Sequence, residues 1–289
     1  SQYYMHLNNA DPRSSASTFW QNADPNSTVF SIGTSNGVNT SGDNYIAYCY
    51  ADTQGFSKFG AYTGNGNSNG VVNSGKITIG GNGQAALLGG YVSNSGIVTA
   101  KLGKIFVGAG EKVTLDFVGD GLMTVTIPST KLGSIKDING KTIKSLISNS
   151  GSLKANGGLV QLSAATAMGL TRSAVNIGST GRIIAQSVDS KPGKIVIGNP
   201  SANSVRIAGN IDVSTPKRSL SPSGTVIVRG KSISHQGNIY ANGTMGGKVK
   251  VLSKDNLKLD GSILAKGDNK GGSIILMSEN EIQSLPKTV

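Results

Sequence analysis

The feature that most constrains the fold of this chain is a glycine-led repeat that begins at Gly75. In each copy, the glycine is followed by an aliphatic residue two positions on and by an aliphatic residue or alanine four positions on. Seven copies, "GKITI", "GIVTA", "GSLKA", "GRIIA", "GNIDV", "GNIYA" and "GSILA", begin at Gly75, Gly96, Gly151, Gly181, Gly209, Gly237 and Gly261. A second strand of the same form follows each copy 7 to 15 residues later, from Gly83, Gly103, Gly158, Gly193, Gly224, Gly247 and Gly272. A third, weaker strand precedes several of the first glycines, as in "SVRIAG", "SAVNIG" and "NLKLDG".

The spacing of the apolar residues predicts β-strands. Their period of two is typical of a half-buried strand, whereas a helix would space them by three and four. The copies start 21, 30, 28, 28 and 24 residues apart, with one gap of 55, which indicates a solenoid that adds one coil per repeat. The sequence therefore predicts an all-β fold, with a right-handed parallel β-helix of about seven coils over residues 71–289. One inward row is expected to contain Ile77, Val98, Leu153, Ile183, Ile211, Ile239 and Ile263. Glycines are expected at the corners, where a positive φ or a close neighbouring coil penalises a Cβ.

The gap of 55 residues contains "KVTLDFVGDGLMTVTI", in which two alternating strands flank a Gly-Asp-Gly turn. Asp-Gly between alternating runs is a strong hairpin signal. We predict a hairpin excursion from the coil over about residues 112–147. Loops on a rigid scaffold often carry binding function, so Asp116, Asp120 and Gly121 are candidate binding residues.

Charge and aromatic content divide the chain near Gly70. Residues 1–70 carry two basic and four acidic groups, a net charge of −2, whereas residues 71–289 carry 25 basic and 11 acidic groups, a net charge of +14. Eleven of the fifteen aromatic residues precede Gly70. We therefore predict two domains, a small β-sandwich-like part over residues 1–70 and the β-helix over residues 71–289. The strand "NYIAYCY" is apolar on both faces, which suits an inner strand that buries Cys49, the single cysteine.

Two resemblances accompany this division. The segment "VVNSGKITIGGNGQAALLGGYVSNSGIVTAKLGKIFVGAGEKVTLDFVGDGLMTVTI", and the later repeats up to residue 289, resemble the filamentous-haemagglutinin family of two-partner-secreted exoproteins. That resemblance implies a β-helical adhesin that is exported through a partner pore in an outer membrane. Residues 1–70, with "STVFSIG", "YIAYCY" and "FSKFGAYTGNG" in that order, resemble a jelly-roll-like module of bacteriophage virion proteins, particularly those of marine phages.

The basic part of the chain favours an anionic partner. The candidate glycan- or anion-binding surface comprises Lys104, Lys194, Lys248, Lys250 and Lys258. A solvated outer face that keeps the coils soluble is the alternative explanation for these lysines. Only Tyr91, Phe106, Phe117 and Tyr240 follow Gly70, so the stacking partners typical of nucleic-acid binding are scarce and acidic glycan is the better prediction. The sequence contains no run of about 18 apolar residues, so we predict no membrane insertion.

Catalysis is the alternative function. A β-helical depolymerase, either a glycosidase or a lyase, would need paired carboxylates on adjacent coils. The candidates are Asp116, Asp120, Asp137, Asp189, Asp212, Asp255, Asp260 and Asp268, and most adjoin Gly or Asn, where turn chemistry already explains them. His6 and His235 have no second ligand at metal spacing, so we predict no catalytic residue, cofactor or metal.

The sequence thus predicts a non-enzymatic structural or adhesive rod on a virion or bacterial cell surface. A depolymerase and a secreted haemagglutinin-like adhesin are the alternatives. An open β-helix presents bare ends, so the expected partners are further copies or neighbouring structural subunits, besides an acidic glycan or a host surface receptor.

Overall fold

A computed structural model of the full chain describes residues 3–4, 14–15, 34–35, 40–42, 70–110, 112–115, 123–126, 137, 143–164, 174–199, 204–216 and 221–284. The chain forms two compact units, Ser1–Ala51 and Asp52–Val289. In the first unit, β1 (Tyr3–Tyr4) pairs antiparallel with β2 (Ser14–Ser15). The predicted sandwich-like arrangement, the strand "NYIAYCY" with Cys49, and His6 fall outside the described residues.

In the second unit, most strands belong to three parallel sheets, and strands are numbered in chain order. The first sheet contains β3 (Gly70–Asn73), β6 (Tyr91–Asn94), β11 (Ile147–Asn149), β14 (Val175–Ile177), β17 (Ser204–Ile207), β20 (Ser232–His235), β24 (Asn256–Leu259) and β28 (Glu281–Ser284). The second contains β4 (Lys76–Ile79), β7 (Ile97–Ala100), β12 (Ser152–Lys154), β15 (Arg182–Ile184), β18 (Asn210–Asp212), β21 (Asn238–Tyr240) and β25 (Ser262–Leu264). The third contains β5 (Gln84–Gly89), β8 (Lys104–Ala109), β13 (Leu159–Ala164), β16 (Lys194–Gly198), β19 (Thr225–Gly230), β23 (Lys248–Ser253) and β27 (Ser273–Ser278).

The chain visits the three sheets in turn, and we call one strand from each sheet, taken in chain order, a rung. The rung β3–β4–β5 is followed by β6–β7–β8, and each strand pairs in parallel with its counterpart in the next rung. Two further strands, β22 (Gly243–Met245) and β26 (Gly267–Lys270), pair beside the later rungs. Over the described residues the chain is all-β, without helices, and the stacked parallel sheets are compatible with the predicted parallel β-helix. The described part therefore contains no helix of the length and apolarity that would cross a membrane.

The interior of the stack consists of continuous aliphatic rows. The predicted row from Ile77 to Ile263 is confirmed, because the register pairs its seven members one after another through the second sheet. The inner members are fully buried, whereas Ile77 and Ile263, on the outermost strands, are half-buried. Rows from all three sheets merge into one hydrophobic core. Burial of these rows is the main favourable contribution to the stability of the stack.

A polar row interrupts this core in the first sheet. Asn73, Asn94 and Asn149 are buried on successive strands. The Nδ2 of Asn73 donates to Oδ1 of Asn94 at 2.7 Å, and the Nδ2 of Asn94 donates to Oδ1 of Asn149 at 2.6 Å. These hydrogen bonds satisfy amides that would otherwise be costly to bury. The same row continues as Ile177, Ile207, His235, Leu259 and Ser284.

The corner glycines are required by the close approach of neighbouring rungs. A Cβ on Gly237 would meet the carbonyl oxygen of Gly209, and a Cβ on Gly209 would meet that of Gly181. The same carbonyl of Gly209 accepts a hydrogen bond from the backbone N–H of Asn238 at 3.2 Å, so the backbones cannot separate without losing it. Positive φ, the other expected reason, applies among the described glycines only to Gly42, Gly157 and Gly198.

The predicted hairpin strands are present outside the stack. Strand β9 (Lys112–Leu115) pairs antiparallel with β10 (Met123–Thr126), and β10 lies against β8 and β13 of the third sheet. The outward side chains Phe106 and Gln161, on those two strands, are buried. The hairpin strands therefore lie along the outer face of the third sheet.

The outermost described strands expose part of the core. These strands are β25 and β27 of the last full rung and β28, which follows it, and we call them the open edge. Ile274 and Ile282 occupy inward rows but are 44% and 47% exposed. A cavity of about 310 Å³ opens among Leu259, Ile263, Ile274 and Leu276 at the open edge. Among the described residues no further strand pairs with the open edge, which therefore combines free strand edges with an apolar surface.

Candidate functional site

A shallow groove runs along the outer face of the first sheet. Its volume is about 650 Å³, and it crosses several rungs. The side chains that characterise it are three cations and a set of hydroxyl and amide groups: Lys144, Arg206 and Lys258, with Ser145, Asn176, Ser204, Ser232, Ser234 and Asn256. No carboxylate is among the described residues that line it. Val205 and Ile233 complete the described lining. The groove is thus basic, with polar groups above an aliphatic floor.

The register aligns the groove residues along the stack. Asn176, Arg206, Ser234 and Lys258 occupy one outward row on four consecutive strands of the first sheet. These side chains point outward because their neighbours along each strand, such as Val205 and Ile207, point into the core. The row therefore results directly from the alternation that buries the aliphatic residues.

The guanidinium group of Arg206 is held in place by two hydrogen bonds. Its Nη1 donates to Oδ1 of Asn176 at 3.3 Å, and its Nη2 donates to Oε1 of Gln236 at 2.7 Å. Both acceptors are neutral amide oxygens, so the positive charge of Arg206 is positioned but not neutralised by them. Remaining N–H groups of the guanidinium fork can therefore bind an anion.

Of the three groove cations, Lys258 is the one for which an ion pair is described. Its Nζ lies 3.9 Å from Oδ2 of Asp260, an ion pair at the distance limit. The lysine side chain is 46% exposed, so the pair is weak in water. Lys144, which lies three residues before β11, is also exposed. An anion in the groove would meet these three cations with little competition from the protein itself.

The other predicted lysines lie elsewhere. Lys104, Lys194 and Lys248 share one outward row of the third sheet, with Leu159 and Thr225 between them. Lys250 lies in the next outward row of that sheet, between Ile227 and Ile275. The structure therefore divides the predicted surface: Lys258 is in the groove and the other four are on the third sheet. Asp116, Asp120 and Gly121 fall outside the described residues.

The acidic candidates are distributed over the stack. Asp212 accepts hydrogen bonds from Nε2 of Gln186 at 2.7 Å and from the backbone N–H of Ser214 at 2.8 Å. Asp255 lies between β23 and β24, Asp260 follows β24, and Asp268 lies on β26. Asp189 has a φ of 50° at a turn, as the turn explanation predicts. Among the described residues, no three His, Cys, Asp or Glu side chains group together as a metal site would require.

His235 is a buried, unpaired imidazole. It lies between Ile207 and Leu259 in an inward row and is 1% exposed, and neither ring nitrogen has a hydrogen-bond partner. Burial lowers the pKa of His235 to about 4, and the nearby Asp260 carboxylate opposes this by a smaller amount. The ring is therefore neutral at pH 7 and is a packed interior residue rather than a groove residue.

Sequence reasoning missed Lys144, Arg206 and the polar residues between the cations. A signal was present: Asn176, Arg206 and Lys258 each stand between two aliphatic residues in the weaker third strand, in "SAVNIG", "SVRIAG" and "NLKLDG". Aligning these three segments places the side chains in one outward row, as the register does.

Comparison with known families and proteins adds one similarity. Residues 1–75 match a family described as Domain of unknown function (DUF7483), which covers about a quarter of the chain. A comparison with curated proteins finds no match.

Proposed function

We propose that this protein is a non-enzymatic attachment rod that binds acidic glycans through the groove of the first sheet. The single observation that carries the proposal is the groove itself, in which Lys144, Arg206 and Lys258 line a polar surface without a described carboxylate. Anionic sugars are suited to such a surface, because their carboxylates bind cations while their hydroxyls exchange hydrogen bonds with serine and asparagine.

The proposed rod is a right-handed parallel β-helix of about seven coils, preceded by a small β-sandwich-like part. Parallel crossover connections are right-handed in nearly all proteins, which supports the handedness. The continuous core rows and the rung-to-rung hydrogen bonds suit a rod that must keep its surface pattern over a distance. A site that spans several rungs is rigid, so little conformational entropy is lost when a ligand binds.

The proposed location is the surface of a virion or of a bacterial cell. The resemblance of residues 71–289 to haemagglutinin-like exoproteins and of residues 1–70 to phage virion modules supports this location. Further copies or neighbouring structural subunits are the proposed partners, because the open edge leaves core isoleucines exposed.

The proposal is tested by glycan binding to matched charge variants. Binding of the full chain to hyaluronan, polygalacturonate and heparin is measured by calorimetry, with uncharged dextran as comparator. The groove pair Arg206→Gln/Lys258→Gln is compared with the third-sheet pair Lys194→Gln/Lys248→Gln, which removes the same charge from another face. We expect the groove pair to weaken binding about tenfold or more and the third-sheet pair to change it less than about threefold.

Each other outcome would contradict the proposal. Equal losses in both pairs would mean a diffuse basic surface without a site. Absence of saturable binding to all three acidic glycans would exclude glycan attachment by this groove. Release of unsaturated sugars or new reducing ends from any of them would make the protein a depolymerase instead. Circular dichroism of both pairs checks that the β-structure is retained.

A further inference from the structure

The spacing of the groove cations points to a more specific ligand: we infer that the groove binds a linear acidic glycan that lies along the stack and carries one negative charge per disaccharide. This inference rests on the proposed function and adds the direction and the charge period of the ligand. It is carried by the register of the first sheet and by the contacts of Arg206.

Two cations of the row are separated by one strand. Arg206 lies on β17 and Lys258 lies on β24, with β20 between them. Neighbouring strands lie about 4.8 Å apart, so these two cations are spaced by about 10 Å. This distance matches the length of a disaccharide in an extended glycan. Lys144 lies outside the row, because it precedes β11 by three residues and Ser148 is the β11 residue that pairs with Asn176.

Neutral polar side chains occupy the rungs between the cations. Asn176 precedes Arg206 in the row, and Ser234 separates Arg206 from Lys258. An uncharged sugar of a disaccharide repeat would lie over these residues, while the acidic sugars would lie over the cations. A glycan with a charge on every sugar would instead place a carboxylate over Ser234, between Arg206 and Lys258, where the row provides no cation.

The charge period alone is not sufficient to make a site. Lys104, Lys194 and Lys248 also lie on alternate rungs, which avoids like charges directly opposite each other. Leu159 and Thr225 stand between them, and Lys104 and Lys194 are half-buried. The groove differs from this row because it is concave, its Arg206 is fixed by two hydrogen bonds, and its intervening residues can exchange hydrogen bonds with sugar hydroxyls.

The test changes the charge period without changing the net charge. The double variant Ser234→Lys/Lys258→Ser moves one cation to the neighbouring rung and shortens its separation from Arg206 from two strand spacings to one. Hyaluronan, with one carboxylate per disaccharide, and polygalacturonate, with a carboxylate on every sugar, are the probes. We expect the wild-type protein to prefer hyaluronan, and the variant to shift the ratio of the two dissociation constants at least about threefold toward polygalacturonate.

Chain length provides a second readout. Affinity for hyaluronan oligosaccharides should rise from the disaccharide to the tetrasaccharide, whose two carboxylates can reach both Arg206 and Lys258. Lys258→Gln should reduce that rise.

The outcomes separate this inference from the proposed function. If Arg206→Gln and Lys258→Gln weaken binding but the moved cation leaves the ratio unchanged, the site is correct and the period is wrong. If neither single variant weakens binding, the proposed site itself is wrong. Tighter binding to single-stranded poly-dT than to any glycan would overturn the ligand class.

Discussion

At the scale of single residues, His235 shows how the row pattern places a titratable group in an aliphatic environment. The register fixes its side chain between Ile207 and Leu259, and Gly261 lies so close that a Cβ there would meet the ring at 2.8 Å. No described side chain reaches either nitrogen. A charged imidazole would therefore be desolvated without a hydrogen bond, although Asp260 lies near enough to oppose part of that cost.

The first prediction concerns the acid sensitivity of this site. The pKa of His235 is about 4 in the folded protein and 6.5 in the unfolded chain, so between these values the unfolded state binds the extra proton. Above pH 6.5 the group has no effect, and as pH falls from 6.5 to 4 it should destabilise the fold by about 3 kcal/mol. Urea unfolding measured from pH 8 to pH 4 should show this loss.

The matched variant is His235→Leu, because leucine suits a row that contains isoleucine and leucine on either side. Between pH 6.5 and pH 4, the free energy of unfolding of this variant should fall by about 3 kcal/mol less than that of the wild-type protein. An unchanged pH dependence in this variant would assign the effect to other groups.

At the scale of the strands, much of the stack follows from the sequence. Each of the second-sheet strands that the repeat predicted lies in the expected register, and Ile77 pairs with Val98 as the first step of the row. This succeeded because a corner glycine immediately precedes every second-sheet strand and fixes which residues alternate inward. The packing of β10 against β8 and β13 was not predicted, since nothing local in the hairpin sequence specifies which sheet it lies against.

The groove was only partly predictable. Lys258 was identified from the overall basic charge, but Lys144 and Arg206 are 114 and 52 residues before it in the sequence. They lie in one groove because the first-sheet strands stay in register, although the chain segments between those strands differ in length. Charge counting cannot supply that alignment, whereas pairing the weaker third strands of successive repeats does.

The second prediction concerns the buried asparagine row. In Asn94→Leu, Nδ2 of Asn73 and Oδ1 of Asn149 both lose the partner that Asn94 provided. Leaving buried polar groups unpaired costs about 1–3 kcal/mol each, so this single substitution should lower the free energy of unfolding by at least about 2 kcal/mol. Replacing Asn73, Asn94 and Asn149 together by leucine should cost less than the single change, because no buried side-chain amide remains unpaired. The backbone N–H of Gly75, which loses its bond to Oδ1 of Asn73, belongs to an exposed residue that water can reach.

The measurement is urea unfolding of the wild type, the single variant and the triple variant under the same conditions. A triple variant that is less stable than Asn94→Leu would contradict this explanation. The row would then contribute through packing rather than through its amide hydrogen bonds.

At the scale of the whole second unit, the outermost strands are the ones that expose core residues. In every inner rung, the inward isoleucines are covered by the rungs on both sides, whereas Ile274 and Ile282 are covered on one side only. Unpaired strand edges with an apolar surface promote association with another chain. The protein is therefore expected to self-associate through β25, β27 and β28 as its concentration rises.

The third prediction tests this with three isoleucines of similar exposure. Ile274→Lys and Ile282→Lys alter the open edge, whereas Ile97→Lys alters an outward position of β7 that is 46% exposed. All three should fold, since exposed substitutions usually change stability by less than about 1 kcal/mol. In sedimentation velocity over a concentration series, the first two variants should remain monomeric while Ile97→Lys associates as the wild type does.

Two results would contradict self-association through these outermost strands. One is a wild-type protein that stays monodisperse at every concentration. The other is an effect of Ile97→Lys as large as that of the end variants, which would point to general repulsion by the added charge.

The strict register of the rungs also limits how such a protein can evolve. Successive copies of the repeat from Gly181 to Gly237 start 28 residues apart, so a tandem duplication or loss of such a segment would add or remove one complete rung and keep the parallel pairing of the strands on either side. Loss of the rung that carries Ser234 would bring Arg206 beside Lys258 and convert the alternating charge pattern into a contiguous one. If the groove binds a glycan as proposed, gene rearrangement in whole repeats would change the charge spacing that the glycan meets, without any substitution of Arg206 or Lys258.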